Sequence, residues 1–343
     1  MTPRAALAVV AAVCAGLGGC AGDGAPAEPP PGAVSPAALS PAERVAPYVD
    51  VTLDQVPDLA GVARESGVRL FTLAFVTAGS GCEPAWGGVL AHDDEGVARR
   101  VRAVRAAGGD VRVSFGGALP SELALRCRDV GALEAAYREA LDAFRVVHAD
   151  FDVEGDALDD RDAVRRRNRA VSRLQESARR AGTPLAVSYT LPVDDAGLTA
   201  EARWLLRDAR AAGVDLAAVN LMAMNYGTGP ADLVGRADAV AGSTAAFLRE
   251  LWPELSERDA WALVAVTPML GVNDVHTEVF GLGDATRLVE LARRRGLAWL
   301  SFWSLNRDHP CPAGPARPGP SNYCSGVPQQ EGEFAGTFAG YLR

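Results

Sequence analysis

The chain has 343 residues, of which 48% are hydrophobic, and its formal net charge is −9. This length suffices for one large barrel or two modest domains. The negative charge gives no electrostatic reason to expect nucleic acid or an anionic membrane surface as a partner, because both attract basic proteins.

The first 19 residues have the pattern of a signal peptide. Arg4 precedes an apolar stretch, residues 5–17, that is too short for an ordinary membrane span. The tetrapeptide LGGC that ends at Cys20 resembles a bacterial lipobox, which implies cleavage before this cysteine and attachment of lipid to its sulfur. An ordinary secretory peptide with a chance cysteine is the alternative. We expect an extracellular lipoprotein on the outer face of the cytoplasmic membrane, in contact with the membrane only through its lipid.

The next segment, residues 20–43, is rich in Pro, Ala and Gly and has no apolar periodicity. This composition predicts an extended tether between the lipid and the domain. No comparable linker interrupts residues 44–343, so we expect a single domain there. We also expect the protein to be a monomer.

From residue 45 onward, short apolar runs alternate with amphipathic stretches. We count eight runs, near 47–53, 69–76, 110–115, 146–153, 185–191, 216–223, 262–268 and 298–303. The intervening stretches with apolar residues at helical spacing include 95–107, 131–145, 160–181 and 284–295. Eight strand–helix repeats predict an α/β fold, a (β/α)8 TIM barrel. A doubly wound open sheet is the main competitor, but no Gly-rich phosphate fingerprint follows the first run.

Two of the six cysteines belong to the leader, Cys14 within the signal and Cys20 at the lipid anchor. An even number remains for an oxidising compartment, which predicts two disulfides among Cys82, Cys127, Cys311 and Cys324. The sequence allows three pairings. We favour Cys82–Cys127, which joins two successive barrel loops, and Cys311–Cys324, which closes a short Pro/Gly-rich loop. None has the CxxC spacing of a zinc site, so metal binding is the weaker interpretation.

The fourth run ends in an acidic segment that contains Asp150, Asp152 and Glu154. Alternate side chains of a strand share a face, so these three point one way and Phe151 and Val153 point the other way. Three carboxylates inside a barrel carry a severe desolvation cost if they are merely structural. A solvated edge strand could hold them cheaply, but this run lies mid-chain and begins with two valines. The pattern therefore favours a functional cluster.

The cluster suits general acid catalysis. Crowded carboxylates raise one another's pKa, and a glycosidase needs a carboxyl group that stays protonated near neutral pH. Glu154, at the end of the strand, is positioned to be that acid. Asp152 can share a proton with it or turn towards substrate, and Asp150, deeper in the barrel, sets the electrostatics of Asp152.

The segment resembles the DxxDxDxE signature of glycoside hydrolase family 18, the chitinases and endo-β-N-acetylglucosaminidases. Asp150, Asp152 and Glu154 match the last three acidic positions, and Val147 replaces the first. Trp303, which ends the eighth run, matches the tryptophan that forms the floor of the family's sugar site. Simple core filling is the alternative for this tryptophan.

Further motifs extend the resemblance from about residue 47 to the C-terminus. The segment SFGG, residues 114–117, resembles the family's SxGG motif, and MAMNY, residues 222–226, occupies the place of its strand-six motif. The stretches VTLDQVPDLA, FTLAFV, WGGV, VSYTLPV, VTPMLGVND and WSLNRD look closest to the bacterial chitinase D-like branch.

The resemblance implies a mechanism without a protein nucleophile. The 2-acetamido oxygen of the substrate attacks the anomeric carbon, and configuration is retained. Glu154 would protonate the glycosidic oxygen and then activate water, while Asp152 would accept a hydrogen bond from the acetamido N–H. Chitin or an N-acetylglucosamine oligosaccharide is the implied partner, and no cofactor is needed.

Several site assignments leave two interpretations open. Ser114 and Gly116 either form only a tight turn after the third strand or act directly beside Asp150. Tyr189, near the end of the fifth run, lines the cleft or caps the barrel. Trp86 is either a stacking platform in the second loop or an anchor of that loop.

Strand six departs from the family pattern. Many members carry Tyr-Asp where this chain has Met224-Asn225. The tyrosine normally donates to the acetamido carbonyl, and the aspartate helps to distort the sugar. Tyr226 and Tyr189 are candidates to supply the hydroxyl, and Asn225 can still form hydrogen bonds without charge.

Three rival functions remain open at this point. The first is a catalytically weak glycan-binding protein on the same barrel, and the second is an endo-β-N-acetylglucosaminidase. The third is a metalloenzyme built on the acidic cluster. The four histidines lack ligand spacing, so we expect no metal.

Overall fold

The computed structural model describes residues 39–119, 121–227, 232–312 and 319–343. The predicted signal peptide, Cys20 and the tether up to residue 38 lie outside the described residues. Leu39 is the first described residue, and Pro41–Glu43, within the segment predicted as a tether, form a 3-10 turn. Leu39 packs against a small apolar cluster that includes Ala46, Leu70 and Trp299.

Seven of the eight apolar runs are strands of one sheet. In chain order the strands are β1 (Tyr48–Asp50), β2 (Leu70–Ala78), β3 (Pro84–Trp86), β4 (Leu90–Ala91), β5 (Asp110–Gly116), β6 (His148–Asp152), β7 (Ala186–Asp194), β8 (Gly197–Leu198), β9 (Leu216–Met222), β10 (Val264–Thr267), β11 (Gly271–Val272) and β12 (Val279–Phe280). Neighbours in the series β1-β2-β5-β6-β7-β9-β10 pair in parallel. The short strands β3, β4 and β8 add antiparallel hairpins at the strand ends.

The eighth run, residues 298–303, closes the barrel between β10 and β1. Its backbone forms isolated bridges to both neighbours and not a continuous strand. On one side the amide of Tyr48 donates to the carbonyl oxygen of Phe302 at 3.1 Å. On the other side the amide of Ser301 donates to the carbonyl oxygen of Val266 at 2.9 Å. The fold is thus the predicted (β/α)8 barrel.

Helices cover the outside of the barrel. They are α1 (Leu59–Ser66), α2 (Glu95–Ala106), α3 (Leu123–Arg126), α4 (Val130–Phe144), α5 (Asp156–Asp159), α6 (Arg161–Arg180), α7 (Ala200–Ala212), α8 (Leu233–Leu251), α9 (Glu257–Trp261), α10 (Leu282–Arg295) and α11 (Glu333–Phe338), with 3-10 turns at Pro41–Glu43, Leu305–Arg307 and Ala339–Leu342. The four helical stretches expected from periodicity are α2, α4, α6 and α10. Aspartates cap three of these, since Asp94, Asp129 and Asp160 each accept a backbone N–H from the first turn.

Side chains of β6 alternate between the barrel interior and the layer beneath the helices. Phe151 points outwards, with ring centroids 5.1 Å from Phe115 and 5.0 Å from Tyr137 on α4. The carboxylate of Asp150 points inwards to hydroxyl groups on three other strands. The predicted alternation along the acidic strand is therefore confirmed.

Both favoured disulfides are present. Cys82 and Cys127 join the loops that follow β2 and β5, with a Cα–Cα distance of 4.9 Å. Cys311 and Cys324 close a loop beyond the eighth barrel segment, with a Cα–Cα distance of 5.0 Å. Within the described ranges, no helix combines the length and the apolarity needed to cross a membrane.

Candidate active site

A cavity opens at the carboxyl ends of the barrel strands. It holds about 600 Å³ of empty space, counting its open mouth, and every one of the eight barrel segments contributes to its lining. Three acidic side chains face it, those of Asp152, Glu154 and Asp274. Aromatic and apolar side chains from the other segments include Tyr48, Phe75, Met269 and Trp303. Parallel strands bring such residues together because their carboxyl ends meet at one face of the barrel.

Asp150 lies below the cavity at the centre of a ring of hydroxyl groups. Its Oδ2 accepts hydrogen bonds from Tyr48 at 2.9 Å and Ser114 at 2.7 Å, and its Oδ1 accepts from Ser188 at 2.6 Å and Thr190 at 2.9 Å. The side chain is fully buried. Four hydroxyl groups around one carboxyl group fix its orientation.

Asp152 and Glu154 lie above Asp150 and face the cavity. Burial, then the charges of Glu154 and Asp150, hold the pKa of Asp152 well above its ordinary value. Burial also raises the pKa of Glu154, and the next cause is the charge of Asp274. The direction agrees with the sequence prediction, but its leading cause is desolvation and not mutual repulsion within the strand. Asp152 Oδ1 is buried and has no hydrogen-bond partner among the described residues.

The SFGG segment supports this arrangement from β5. Ser114 donates its hydroxyl to Asp150, so it contacts the cluster directly. Gly116 has a φ of 104°, and a Cβ there would lie 2.0 Å from the carbonyl oxygen of Asp152. The amide of Gly117 donates to that same oxygen at 3.0 Å. The two glycines therefore allow the turn to approach the acidic strand closely.

Trp303 forms one side of the cavity together with Phe75. The two rings are stacked, with centroids 5.4 Å apart and an interplanar angle of 18°. Tyr48 lies against both rings at about 6 Å. Trp303 thus presents an aromatic face at the cavity and is not a filler of the deep core.

The loop after β9 carries the departures from the family pattern. Met224 and Asn225 line the cavity. The amide nitrogen of Asn225 donates to Asp274 Oδ2 at 3.0 Å, and its amide oxygen accepts the backbone N–H of Val275 at 3.2 Å. Asn225 adopts a φ of 57°, in the left-handed region that asparagine tolerates better than most residues. The side chain of Asn225 therefore joins the loop after β9 to the loop that bears Asp274.

Tyr226, which the sequence offered as a hydroxyl donor, does not line the cavity. Its ring lies 5.3 Å from the guanidinium carbon of Arg236, and its buried hydroxyl has no hydrogen-bond partner among the described residues. The backbone amides of Tyr226 and Gly227 donate to the buried carboxylate of Glu278, at 3.1 and 2.8 Å. Tyr226 thus anchors this loop through its backbone.

Two other predicted positions lie away from the cavity. Tyr189 is fully buried on the outer face of β7, and its hydroxyl donates to Asn168 on α6 at 2.5 Å. It alternates with Ser188 and Thr190, which point inwards, so the pleat turns it towards the helices. Trp86 is also fully buried; its ring is 5.9 Å from Phe144, and its Nε1–H donates to a backbone carbonyl of the same loop. Trp86 is therefore the loop anchor and not a stacking platform.

Sequence reasoning missed Asp274. This residue follows β10 in the stretch VTPMLGVND, and an acid just beyond a barrel strand was the available signal. Tyr48 was also missed, although it lies in the first run. Its hydroxyl oxygen lies 2.9 Å from Asp150 Oδ2 and 2.8 Å from Thr190 Oγ1.

Known proteins share this fold and this sequence pattern. The catalytic domain of a hyperthermophilic chitinase from Pyrococcus furiosus is 30% identical to this chain, with a TM-score of 0.77 over 89% of this chain and 96% of that one. A catalytic-site mutant of the same enzyme complexed with chito-oligosaccharides is 31% identical over 91% of this chain and 97% of that one, with a TM-score of 0.77. The chain belongs to glycoside hydrolase family 18, the chitinase family. No family model matches this family 18 chain.

Two curated relatives are longer than this family 18 chain. A probable bifunctional chitinase/lysozyme of Escherichia coli is 39% identical over 276 residues, which is 77% of this chain and 31% of that protein. Endochitinase 11 of Metarhizium anisopliae is 39% identical over 277 residues, 77% of this chain and 52% of that protein. The matched part of the chain thus spans about a third of the length of the first relative and about half of the length of the second. A family 18 chitinase from a fern shares the fold at 14% identity, with a TM-score of 0.53.

Proposed function

We propose that the protein is a chitinase, which hydrolyses β-1,4 bonds between N-acetylglucosamine units by substrate-assisted, retaining catalysis. Glu154 is the general acid and base. The observation that carries this proposal is a carboxyl group of raised pKa at the wall of an open cavity, beside Asp152 and near an aromatic platform. We also propose that the protein belongs to the bacterial chitinase D-like branch, which its sequence stretches resemble, and that it acts as a monomer.

The first step cleaves the glycosidic bond. Glu154 gives its proton to the glycosidic oxygen as the bond to the anomeric carbon breaks. The acetamido oxygen of the same sugar attacks that carbon, which yields an oxazolinium ion and the free leaving sugar. Asp152, whose side chain lines the cavity, accepts the acetamido N–H.

The second step regenerates the enzyme. Glu154, now ionised, removes a proton from a water molecule as the water oxygen bonds to the anomeric carbon. The ring of the oxazolinium ion opens, the acetamido group is restored, and configuration is retained overall. Asp150 keeps its orientation beneath both acids through its four hydroxyl contacts.

The cavity offers a surface on which a sugar chain can bind. Trp303 and Phe75 offer a stacked aromatic wall for the apolar face of a pyranose ring. The amide of Asn225 lies exposed at the mouth, where Met224 replaces the tyrosine of many family members. The related Pyrococcus furiosus enzyme, whose complex with chito-oligosaccharides has been solved, supports the choice of substrate.

The test is a product profile on chitooligosaccharides of defined length. Wild type should release shorter oligomers with retained anomeric configuration, measured by NMR, and should fail on the de-N-acetylated oligomers. Glu154→Gln should lower kcat at least about 100-fold. Glu201→Gln, an exposed site at the start of α7, is the matched control and should leave turnover unchanged.

Other outcomes would support one of the three rival functions in place of the chitinase. Binding of oligomers without any turnover would favour the glycan-binding protein. Turnover that is lost with a chelator and restored by Mg²⁺ or Mn²⁺ would favour the metalloenzyme. Release of intact glycans from a glycoprotein, without cleavage of chitooligosaccharides, would favour the endo-β-N-acetylglucosaminidase.

We also propose that the protein is an extracellular lipoprotein, anchored through Cys20. The support is the LGGC tetrapeptide behind a short apolar stretch. Cys20→Ala should move the protein from the membrane fraction to the soluble fraction and abolish labelling by a fatty-acid analogue. Labelling that persists in this variant would contradict the anchor.

A further inference from the structure

A buried ion pair lies outside the cavity, between the barrel loops and the helices. Arg167, on α6, and Glu122, in the loop after β5, are 0% and 1% exposed. Arg167 Nε donates to Glu122 Oε1 at 3.3 Å, and its Nη2 lies 3.0 Å from Glu122 Oε2. The guanidinium thus meets the carboxylate edge to edge, the two-point geometry that lysine cannot reproduce.

Arg167 also reaches the turn that carries the proposed acid. Its Nη2 donates to the carbonyl oxygen of Ala157 at 3.2 Å. Ala157 belongs to α5, which begins two residues after Glu154, and its own amide donates to the carbonyl oxygen of Glu154 at 3.2 Å. Two hydrogen bonds therefore connect the arginine to the backbone of the acid.

Glu122 orders the loop after β5, on the other side of the ion pair from α5. Its Oε2 accepts the backbone N–H of Ala124 at 2.7 Å, and its Oε1 accepts the hydroxyl of Tyr137 at 3.3 Å. The same loop contributes Ala118 to the cavity lining. Gly117, at its start, donates to the carbonyl oxygen of Asp152. The ion pair thus joins the loop after β5 to the turn after β6.

Stability of the fold alone does not explain why a charged pair is buried at this position. Both charges lose their hydration, and well-packed apolar side chains of similar volume often serve stability equally well or better. An apolar pair, however, could not hold the Ala157 carbonyl or cap α3. We propose that Glu122 and Arg167 are positioning residues, which fix the orientation of Glu154 relative to the glycosidic oxygen. This inference rests on the proposed function.

The test separates proton donation from general folding. Chitotetraose needs a proton on its leaving oxygen, whereas 4-nitrophenolate leaves a 4-nitrophenyl chitobioside without one. Glu122→Gln/Arg167→Met removes both charges together, so no uncompensated charge stays buried. We expect this double variant to keep the wild-type Tm within a few degrees, and to lower kcat on chitotetraose about tenfold with KM within about twofold. On the aryl glycoside, kcat should fall less than about threefold.

Two single variants complete the series. Arg167→Met leaves Glu122 unpaired and should lose both Tm and kcat, and Arg167→Lys should recover Tm more than kcat because it keeps only the charge. Arg165→Met is the matched control, since it removes an arginine from the exposed side of α6, where Arg165 pairs with Asp162 at 3.1 Å. Its kinetics should equal those of wild type.

Each result decides between the alternatives. Equal losses on the two substrates, or a double variant with wild-type kcat, would overturn the positioning role and leave the pair purely structural. Selective loss on chitotetraose supports it. If wild type cleaves neither substrate, the proposed function fails first and the positioning role falls with it.

Discussion

The floor and the wall of the cavity are built in different ways. The floor is the acidic strand β6 over its ring of hydroxyl groups, with Asp150 fully buried and held by four donors. The wall is made of the loops after β9 and β10, where Asn225 is exposed and holds Asp274 through one side-chain hydrogen bond. Several buried hydrogen bonds from neighbouring strands hold the floor, whereas few side-chain hydrogen bonds join the two loops of the wall.

This difference separates two tasks. The floor raises the pKa of Asp152, through burial first and then through the charges of Glu154 and Asp150. Burial is the larger cause of the raised pKa of Glu154, and the charge of Asp274 in the wall adds to it. Arg307 supports the wall from below, because its buried guanidinium donates to the carbonyl oxygens of Leu270 and Val272. Substitutions in the floor should therefore cost far more than substitutions in the wall.

The largest effect is expected at the floor, in Asp150→Asn. The amide nitrogen of asparagine cannot accept, so hydroxyl donors on one side of the ring lose their acceptor. We expect the free energy of unfolding to fall by about 2–4 kcal/mol and kcat to fall about 100-fold. Urea unfolding and turnover of chitotetraose measure these changes. Ser188→Ala, which removes one donor, should cost only about 1 kcal/mol; equal stability of the two variants would contradict the ring.

The next effect is expected at the wall, in Asp274→Asn. The negative charge of Asp274 raises the pKa of Glu154, so its removal lowers that pKa. In the proposed mechanism Glu154 acts in its protonated form, so the alkaline limb of kcat/KM should move to lower pH. The control Glu201→Gln removes a distant charge and should leave the limb in place. If the alkaline limb of Asp274→Asn is unchanged or moves to higher pH, Asp274 does not raise the pKa of Glu154.

A smaller effect should follow from Asn225→Gly. Glycine accepts the left-handed backbone but cannot hold Asp274 or the amide of Val275. We expect KM for chitotetraose to rise about threefold while Tm stays near wild type. Asn225→Ala loses the same contacts and also strains the backbone by about 1 kcal/mol, so its Tm should be lower. An unchanged KM in the glycine variant would show that the amide does not order the wall.

The smallest effect on activity is expected from Tyr189→Phe, because this side chain faces the helix layer and not the cavity. The change removes one hydrogen bond to Asn168 in the helix layer and should cost about 1 kcal/mol of stability. Both kcat and KM should equal those of wild type, as measured on chitotetraose beside a denaturation curve. A raised KM would instead support the interpretation that Tyr189 lines the cleft and contacts the substrate.

The sequence predicted the floor well because strand pleat and barrel order depend on local patterns. Alternation assigned Asp150 to the interior and Phe151 to the helix layer, and the structure agrees. The same rule, applied from Ser188, would have turned Tyr189 outwards. The wall escaped prediction because Asn225 and Asp274 meet across 49 residues, through loop conformations that no periodicity encodes. Trp86 escaped for a similar reason, since a short hairpin carries it into the core.

Leu39 lies at the amino ends of the strands, beside His148, Ala186 and Trp299. The cavity opens at the opposite end of the barrel. Immobilising the protein on a bead through an attachment just before Leu39 should therefore leave the mouth directed towards the bulk solution. An attachment in the loop that bears Asp274 should block it. The point where the chain enters the barrel thus offers a convenient handle for building a surface-bound catalyst.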